Sequence, residues 1–117
     1  MNRFKNLLVY QKSLDYFNNV RKCVRKFPKD ELFGLTSQWR RAADSIVLNI
    51  AEGAGNSSKT EYARFLDISI RSAFECLGCL DIALRAEYIN KTEFDNFSIQ
   101  TNELIAMLHG LKKSIKK

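Results

Sequence analysis

Three stretches of this chain hold residue types that do chemistry in other proteins. "NIAEGAGNSSKTEY", residues 49–62, reads from Gly53 as a glycine, four residues, then Ser58, Lys59 and Thr60. That is one substitution short of the G-x-x-x-x-G-K-[ST] loop whose backbone N–H groups cradle phosphates. Cys76 and Cys79 form a C-x-x-C pair, the spacing of redox-active and zinc-binding thiols. "RKCVRKFPK", residues 21–29, brings together Arg21, Lys22, Arg25, Lys26 and Lys29, with two pairs at i, i+4 on one helix face. It is a ready set of phosphate contacts.

Each stretch also has a plain structural role. A phosphate loop follows a buried strand and opens a helix, but "SIVLNIAEG" continues a helical pattern and Ser58 replaces the second glycine. Gly53 or Gly55 is better placed to close one helix, with Ser58 and Glu61 forming a capping box that opens the next. The paired cysteines lack two further zinc ligands: the sole histidine, His109, is far along the chain and Cys23 is the only other thiol. Packing as small apolar residues is therefore the expectation. No feature joins His109 to a catalytic triad, and Asp30, Glu31 and Glu103 fit capping and solvated faces. No enzyme, cofactor or metal site is expected.

The chain has 117 residues, enough for one domain and one core. One proline and five glycines interrupt long stretches rich in Leu, Ala, Lys, Glu and Ile, the composition of an all-α protein. No apolar run reaches the roughly 18 residues that cross a bilayer, and Lys12 and Asp15 break the apolar start, so a cytoplasmic protein without membrane contact is expected. An odd number of cysteines fits a reducing compartment. The net charge of +6 is unevenly spread. Residues 1–29 hold eight Lys/Arg against one Asp, residues 30–111 hold seven against twelve Asp/Glu, and the final "KKSIKK" adds Lys112, Lys113, Lys116 and Lys117. Basic ends around an acidic middle favour a polyanionic partner, nucleic acid first among them.

Apolar periodicity predicts four helices, about 5–27, 36–53, 58–87 and 91–115. Leu7, Leu8, Leu14, Phe17, Val20, Val24 and Phe27 form the first stripe, and Pro28 ends it. Thr36 is the expected N-cap of the second helix, whose stripe is Trp39, Ala42, Ala43, Ile46, Val47 and Ile50, with Arg40, Arg41, Asp44 and Glu52 opposite. The third helix carries two apolar rows, Tyr62-Leu66-Ser69-Ala73-Cys76-Leu80-Ala83 and Phe65-Ile68-Ser72-Cys79-Ile82, and therefore needs two partners. Asn90 and Glu93 form a capping box before a fourth stripe through Phe94, Phe97, Leu104, Leu108, Leu111 and Ile115. Short connections imply an antiparallel up-down-up-down four-helix bundle in a single domain, 1–117, and the second row on helix three implies an oligomer.

Residues 27–75 also resemble a known signature. "FPKDELFGLTSQWRRAADSIVLNIAEG" follows the pattern F-P-x-x-E-x-x-G-L-T-x-Q-x-R-R-A-x-x-S-I-x-x-N-I-A-E-G of the bacterial 23S ribosomal RNA intervening-sequence proteins. Trp39 stands where an aliphatic residue is usual, and Asp44 where a small one is. The resemblance implies a four-helix bundle assembling into a homopentamer, with no enzymatic activity attached to the motif. The chain is similar as well to the accessory variability proteins of diversity-generating retroelements, basic pentamers that bind nucleic acid and a reverse transcriptase. A nucleic-acid-binding scaffold is thus expected, with Arg21, Lys22, Arg25, Lys26, Lys29, Arg40, Arg41 and the Lys112–Lys117 tail as contacts. The competing expectation is a module that docks a co-encoded protein such as a reverse transcriptase.

Overall fold

The computed structural model describes residues 3–56 and 58–116. Among them are four α-helices and no strand: α1 Leu8–Val24, α2 Leu35–Ala54, α3 Lys59–Arg85 and α4 Lys91–Ile115, with short 3-10 turns at Arg3–Asn6 and Lys29–Glu31. Each helix packs on the next in sequence and α1 also meets α4, closing a bundle 44 Å long and about half as wide. Side-chain pairs fix the register. Lys12 and Asn19 of α1, and Lys26 just beyond its end, meet Glu103, Gln100 and Glu93, so residue numbers rise along α1 as they fall on α4.

The helix ends follow from local chemistry. Leu7 is extended, which separates the first 3-10 turn from α1 and makes α1 shorter than its periodicity suggests. At the other end, Lys26 and Phe27 donate to Cys23 and Val24 in i to i−3 bonds, and Pro28 bars continuation. Thr36 does not cap α2. It lies inside the helix and is buried, while the Glu31 carboxylate reaches forward to accept the Leu35 N–H at 3.1 Å. Gly55, not Gly53, closes α2.

Half of the expected box forms at α3. Ser58 Oγ accepts from Glu61 N–H at 3.2 Å, but the Ser58 N–H is taken by Asn56 Oδ1 and the Glu61 carboxylate by Arg64. At α4 both halves are present, between Asn90 and Glu93 at 2.8 and 2.9 Å. The end of α3 turns on Glu87, whose positive φ of 64° lets Tyr88 N–H return to Ala83 C=O.

The core confirms the stripe predicted for α2, all six residues of which are buried. The α1 stripe is corrected. Val9, Ser13, Tyr16, Val20, Cys23 and Val24 face inward, whereas Leu8 is 62% exposed and Leu14 and Phe17 are half-buried. Val20, Val24 and Phe27 are buried as expected, but ahead of them Val9, Ser13 and Tyr16 take the inward places in preference to Leu8, Leu14 and Phe17, because Tyr16 and Ser13 are core residues that a purely apolar pattern passes over. On α4 the row centres on Phe97, Thr101, Leu104 and Leu108, with Phe94, Leu111 and Ile115 packed at its edge. On α3 the first row is buried almost throughout, and the second splits: Ser72 and Cys79 are buried, Phe65 and Ile68 half-buried, and Ile82 exposed.

Trp39, Phe97, Tyr16 and Phe27 pack at the centre of the bundle, Trp39 edge-on to Phe97 with centroids 4.9 Å apart and stacked on Phe27 at 6.1 Å. The α2–α3 interface is closer. Ser69 Oγ donates to Ile46 C=O at 3.0 Å, and Ser72 and Ser45 hydroxyls bond at 2.8 Å. Gly53 sits where a Cβ would lie 2.8 Å from Phe65 Cβ and 3.0 Å from Tyr62 Cδ1.

Two glycines in helices therefore respond oppositely to alanine. At Gly110 a Cβ meets nothing within 4 Å, so Gly110→Ala gains helix propensity and raises stability by roughly 0.5–1 kcal/mol. Gly53→Ala gains the same propensity but pushes α3 away, and a net loss of about 1–3 kcal/mol is expected from overpacking. Urea denaturation of both variants, followed by circular dichroism, checks the opposed signs.

Candidate nucleic-acid interface

The sequence places Arg21 in the last turn of α1 and Arg25 at its C-terminal cap, Lys29 on the turn after Pro28, and Arg40 on the second turn of α2. The bundle brings these four together. With Val24, Phe27, Pro28, Leu32 and Thr36 they line a depression of about 530 Å³ at the junction of α1, the Lys29–Glu31 turn and α2. Its walls carry four cations over an apolar floor. The Glu31 carboxylate beside it is held below the usual carboxylate range, first by the Leu35 N–H and then by the Tyr88 hydroxyl, which donates at 2.8 Å. Glu31 is thereby committed to pinning the junction.

The four cations are not equally available. Arg21 is half-buried, forks onto Asp44 at 3.1 and 3.3 Å, and lies over the Phe17 ring. Arg40 is half-buried on the facing helix. The Nε of each is buried and has no hydrogen-bond partner among the described residues. Arg25 and Lys29 are exposed. Among the other expected contacts, Lys22 and Arg41 are exposed, and Lys26 is ion-paired with Glu93.

The tail lies elsewhere. Lys112 is drawn to Asp67 of α3 at 2.6 Å, and Lys116 lines a second depression with Lys59, Thr60, Ala63, Arg64 and Asp67; Lys113 is exposed. Lys117 lies outside the described residues. From Glu93, which meets Lys26, to Lys112 is about 28 Å along α4 at 1.5 Å per residue, so the two basic clusters occupy opposite ends of the molecule. Sequence reasoning missed Leu32 and Phe33, which are 48% and 94% exposed beside the first cluster. The available signal was a pair of large apolar residues between Pro28 and Gly34 with no periodic partner.

The other chemistry-bearing stretches have structural roles. Residues 49–54 are helical, and Gly55, Asn56 and Ser58 turn the chain into α3, with no strand before them. Cys76 and Cys79 are buried and unbonded, as is Cys23. Burial pushes the Cys76 thiol up to about 12, and burial with the nearby Glu75 charge pushes Cys79 up to about 11. Burial likewise raises the Tyr16 phenol well above its ordinary value. Among the described residues no cluster of three or more His, Cys, Asp or Glu is placed to hold a metal ion, and no helix is long and apolar enough to cross a membrane.

A four-helix all-α protein with a cationic depression at one end of the bundle is the class that fold and site define. The family model for the 23S rRNA-intervening sequence protein matches residues 5–110, and the chain belongs to that family. Among solved structures, it is similar to the crystal structure of a protein with unknown function from the S23 ribosomal protein family of Bacteroides thetaiotaomicron. The two are 23% identical over 91% of this chain and 99% of that one, with a TM-score of 0.84, a likeness of fold. No curated protein sequence matches the chain.

The raised thiols give a pH dependence with a definite sign. Below pH 9, the ordinary value, Cys76 and Cys79 are protonated folded and unfolded alike. Above it the unfolded chain releases protons that the native state retains, so stability is fully present below about pH 9 and declines towards the raised values. The urea midpoint is expected to fall over that range, and less steeply in Cys76→Ala. Thiol-labelling reagents at pH 8 are expected to modify the cysteines only after urea unfolding.

Proposed function

We propose that the protein is a non-enzymatic, cytoplasmic, homo-oligomeric scaffold that binds structured RNA or DNA through the basic depression between α1 and α2. In this reading the antiparallel up-down-up-down bundle assembles as a pentamer. The observation that carries the reading is the convergence of Arg21, Arg25, Lys29 and Arg40 from three separate elements on one depression. Solubility alone needs charges dispersed on the surface, whereas here two guanidinium groups are drawn partly inward with their Nε atoms unpaired. Family membership supports the link to RNA, and exposed Phe74 and Ile82 on α3, with Leu8, Leu48 and Ile99 elsewhere, supply apolar surface for subunit contacts.

A second reading, docking of a co-encoded protein, is favoured by one different feature. Leu14, Phe17, Val47 and Leu48 form an apolar depression of about 260 Å³ over α1 and α2, edged by the Arg21–Asp44 pair. An apolar groove rimmed by a fixed ion pair suits a helix of a partner protein.

The exposed pair Arg25 and Lys29 tests the first reading without touching the core. In fluorescence-anisotropy titrations with ribosomal RNA helices and duplex DNA, the Arg25→Glu/Lys29→Glu variant is expected to lose roughly tenfold or more in affinity at low salt. The slope of log affinity against log salt is expected to become shallower by about 1.8, two phosphate contacts' worth. Neutralising Lys112, already paired with Asp67, is expected to change less. Unaltered affinity in the double variant, or no binding by the native protein at low salt, sinks the reading.

A further inference from the structure

We infer that Phe33 is a stacking platform for an unpaired nucleobase, so that the basic depression takes single-stranded nucleic acid in preference to duplex; this deepens, and rests on, the nucleic-acid reading above. Phe33 is 94% exposed, the most exposed large apolar residue among those described. It follows Leu32, which lines the depression and is itself half in solvent.

The exposure is built in. Leu32 N–H bonds to Lys29 C=O at 3.1 Å and Gly34 N–H to Glu31 C=O at 3.0 Å, so the backbone is tied on both sides of Phe33. Glu31 in turn holds Leu35 N–H and Tyr88 hydroxyl. A loop anchored this way holds the backbone at Phe33 in place, and the side chain extends from it into solvent. What would cover such a ring is decided by its surroundings. Arg25, Lys29 and Arg40 line the adjoining depression, whereas the nearby acids are largely engaged, Asp44 by Arg21 and Glu31 by the junction. Asp30 alone stands exposed on the turn without changing the balance of charge. Cations beside an outward aromatic ring form the pairing that tracks single strands, with phosphates on the charges and a base on the ring.

A duplex keeps its bases stacked inside and offers only phosphate and groove edges, so it has no free π-face for Phe33 except at its ends. Charge contacts at Arg25 and Lys29 therefore serve both strand forms, and the ring serves one.

Anisotropy titrations of a short adenine-rich RNA strand, alone and annealed to its complement, separate these contributions in the native chain, Phe33→Ala and Phe33→Trp. Because the ring touches solvent, neither substitution disturbs the bundle, which circular dichroism verifies. Phe33→Ala is expected to weaken single-strand binding about tenfold, within the range of one lost base stack, with duplex affinity and the salt slope unchanged. Phe33→Trp is expected to bind the single strand at least as tightly as the native chain. Equal effects of Phe33→Ala on both forms, or none on either, overturn the inference while leaving the basic depression as a phosphate site. A change in molar mass by light scattering in Phe33→Ala also overturns it, because the ring is then a contact between protein chains. Failure of the native chain to bind either form removes the nucleic-acid reading itself.

Discussion

A buried polar relay ties the four helices together. Trp39 on α2 donates its indole N–H to the Tyr16 hydroxyl of α1 at 3.4 Å. Thr101 on α4 stands 2.8 Å from the same hydroxyl and 2.7 Å from Phe97 C=O. Thr101 has one proton, which satisfies the carbonyl, so the Tyr16 O–H donates to Thr101 Oγ and the three groups are satisfied in one direction. Cys76 of α3 adjoins Tyr16 at the same point. Each bond contributes only about 0.5–1.5 kcal/mol, yet a buried donor left without a partner costs about 1–3. The relay therefore penalises every rotation or slip of a helix more strongly than it stabilises the correct arrangement, and specifies a register that apolar packing alone tolerates loosely.

That register is what assembles the basic end. With Tyr16 held against Trp39, the last turns of α1 lie beside the first turns of α2, and Arg21 reaches Asp44 while Arg40 faces the same depression. The two residues that depart from the family pattern both act here: Trp39 supplies the relay's donor, and Asp44 holds the Arg21 guanidinium. On the other side of α2, small residues permit a close approach to α3, where Ser45, Ser72 and Ser69 bond across the interface and Gly53 admits Phe65. Thus "NIAEG" marks helix packing, and the apparent relic of a phosphate loop is the point where α2 and α3 converge.

Much of this was legible in the sequence, and the exceptions share a cause. The four helices, the Asn90 box and the α2 stripe follow from short-range periodicity and capping, which neighbouring residues determine among themselves. The first half of the α1 face was misjudged because Tyr16 and Ser13 are inward-facing yet polar, and only the relay partner on another helix makes Tyr16 a core residue. Thr36 was displaced as a cap by Glu31, whose position depends on Tyr88, far away in sequence. At the basic cluster, spacing on one helix was readable, but Arg40's place opposite Arg25 and the separation of the Lys112 cluster required the tertiary arrangement.

The separation constrains how charge is used. Two positive ends about 28 Å apart along α4 cannot meet adjacent phosphates of one backbone. Between them residues 30–111 are net acidic, so a strand running along the bundle is repelled over its middle. Lys112 is drawn into a pair with Asp67, Lys26 into one with Glu93 and Arg21 into one with Asp44, which places cations of both clusters in service of the fold. The Arg25–Lys29 side keeps exposed cations next to an apolar floor, with the exposed Phe33 following Leu32 of its lining, whereas the Lys116 side is bounded by Asp67 and has no exposed aromatic among its lining residues. Charge by itself makes both ends attractive to a polyanion, and it is the combination of charge with apolar surface that distinguishes one from the other.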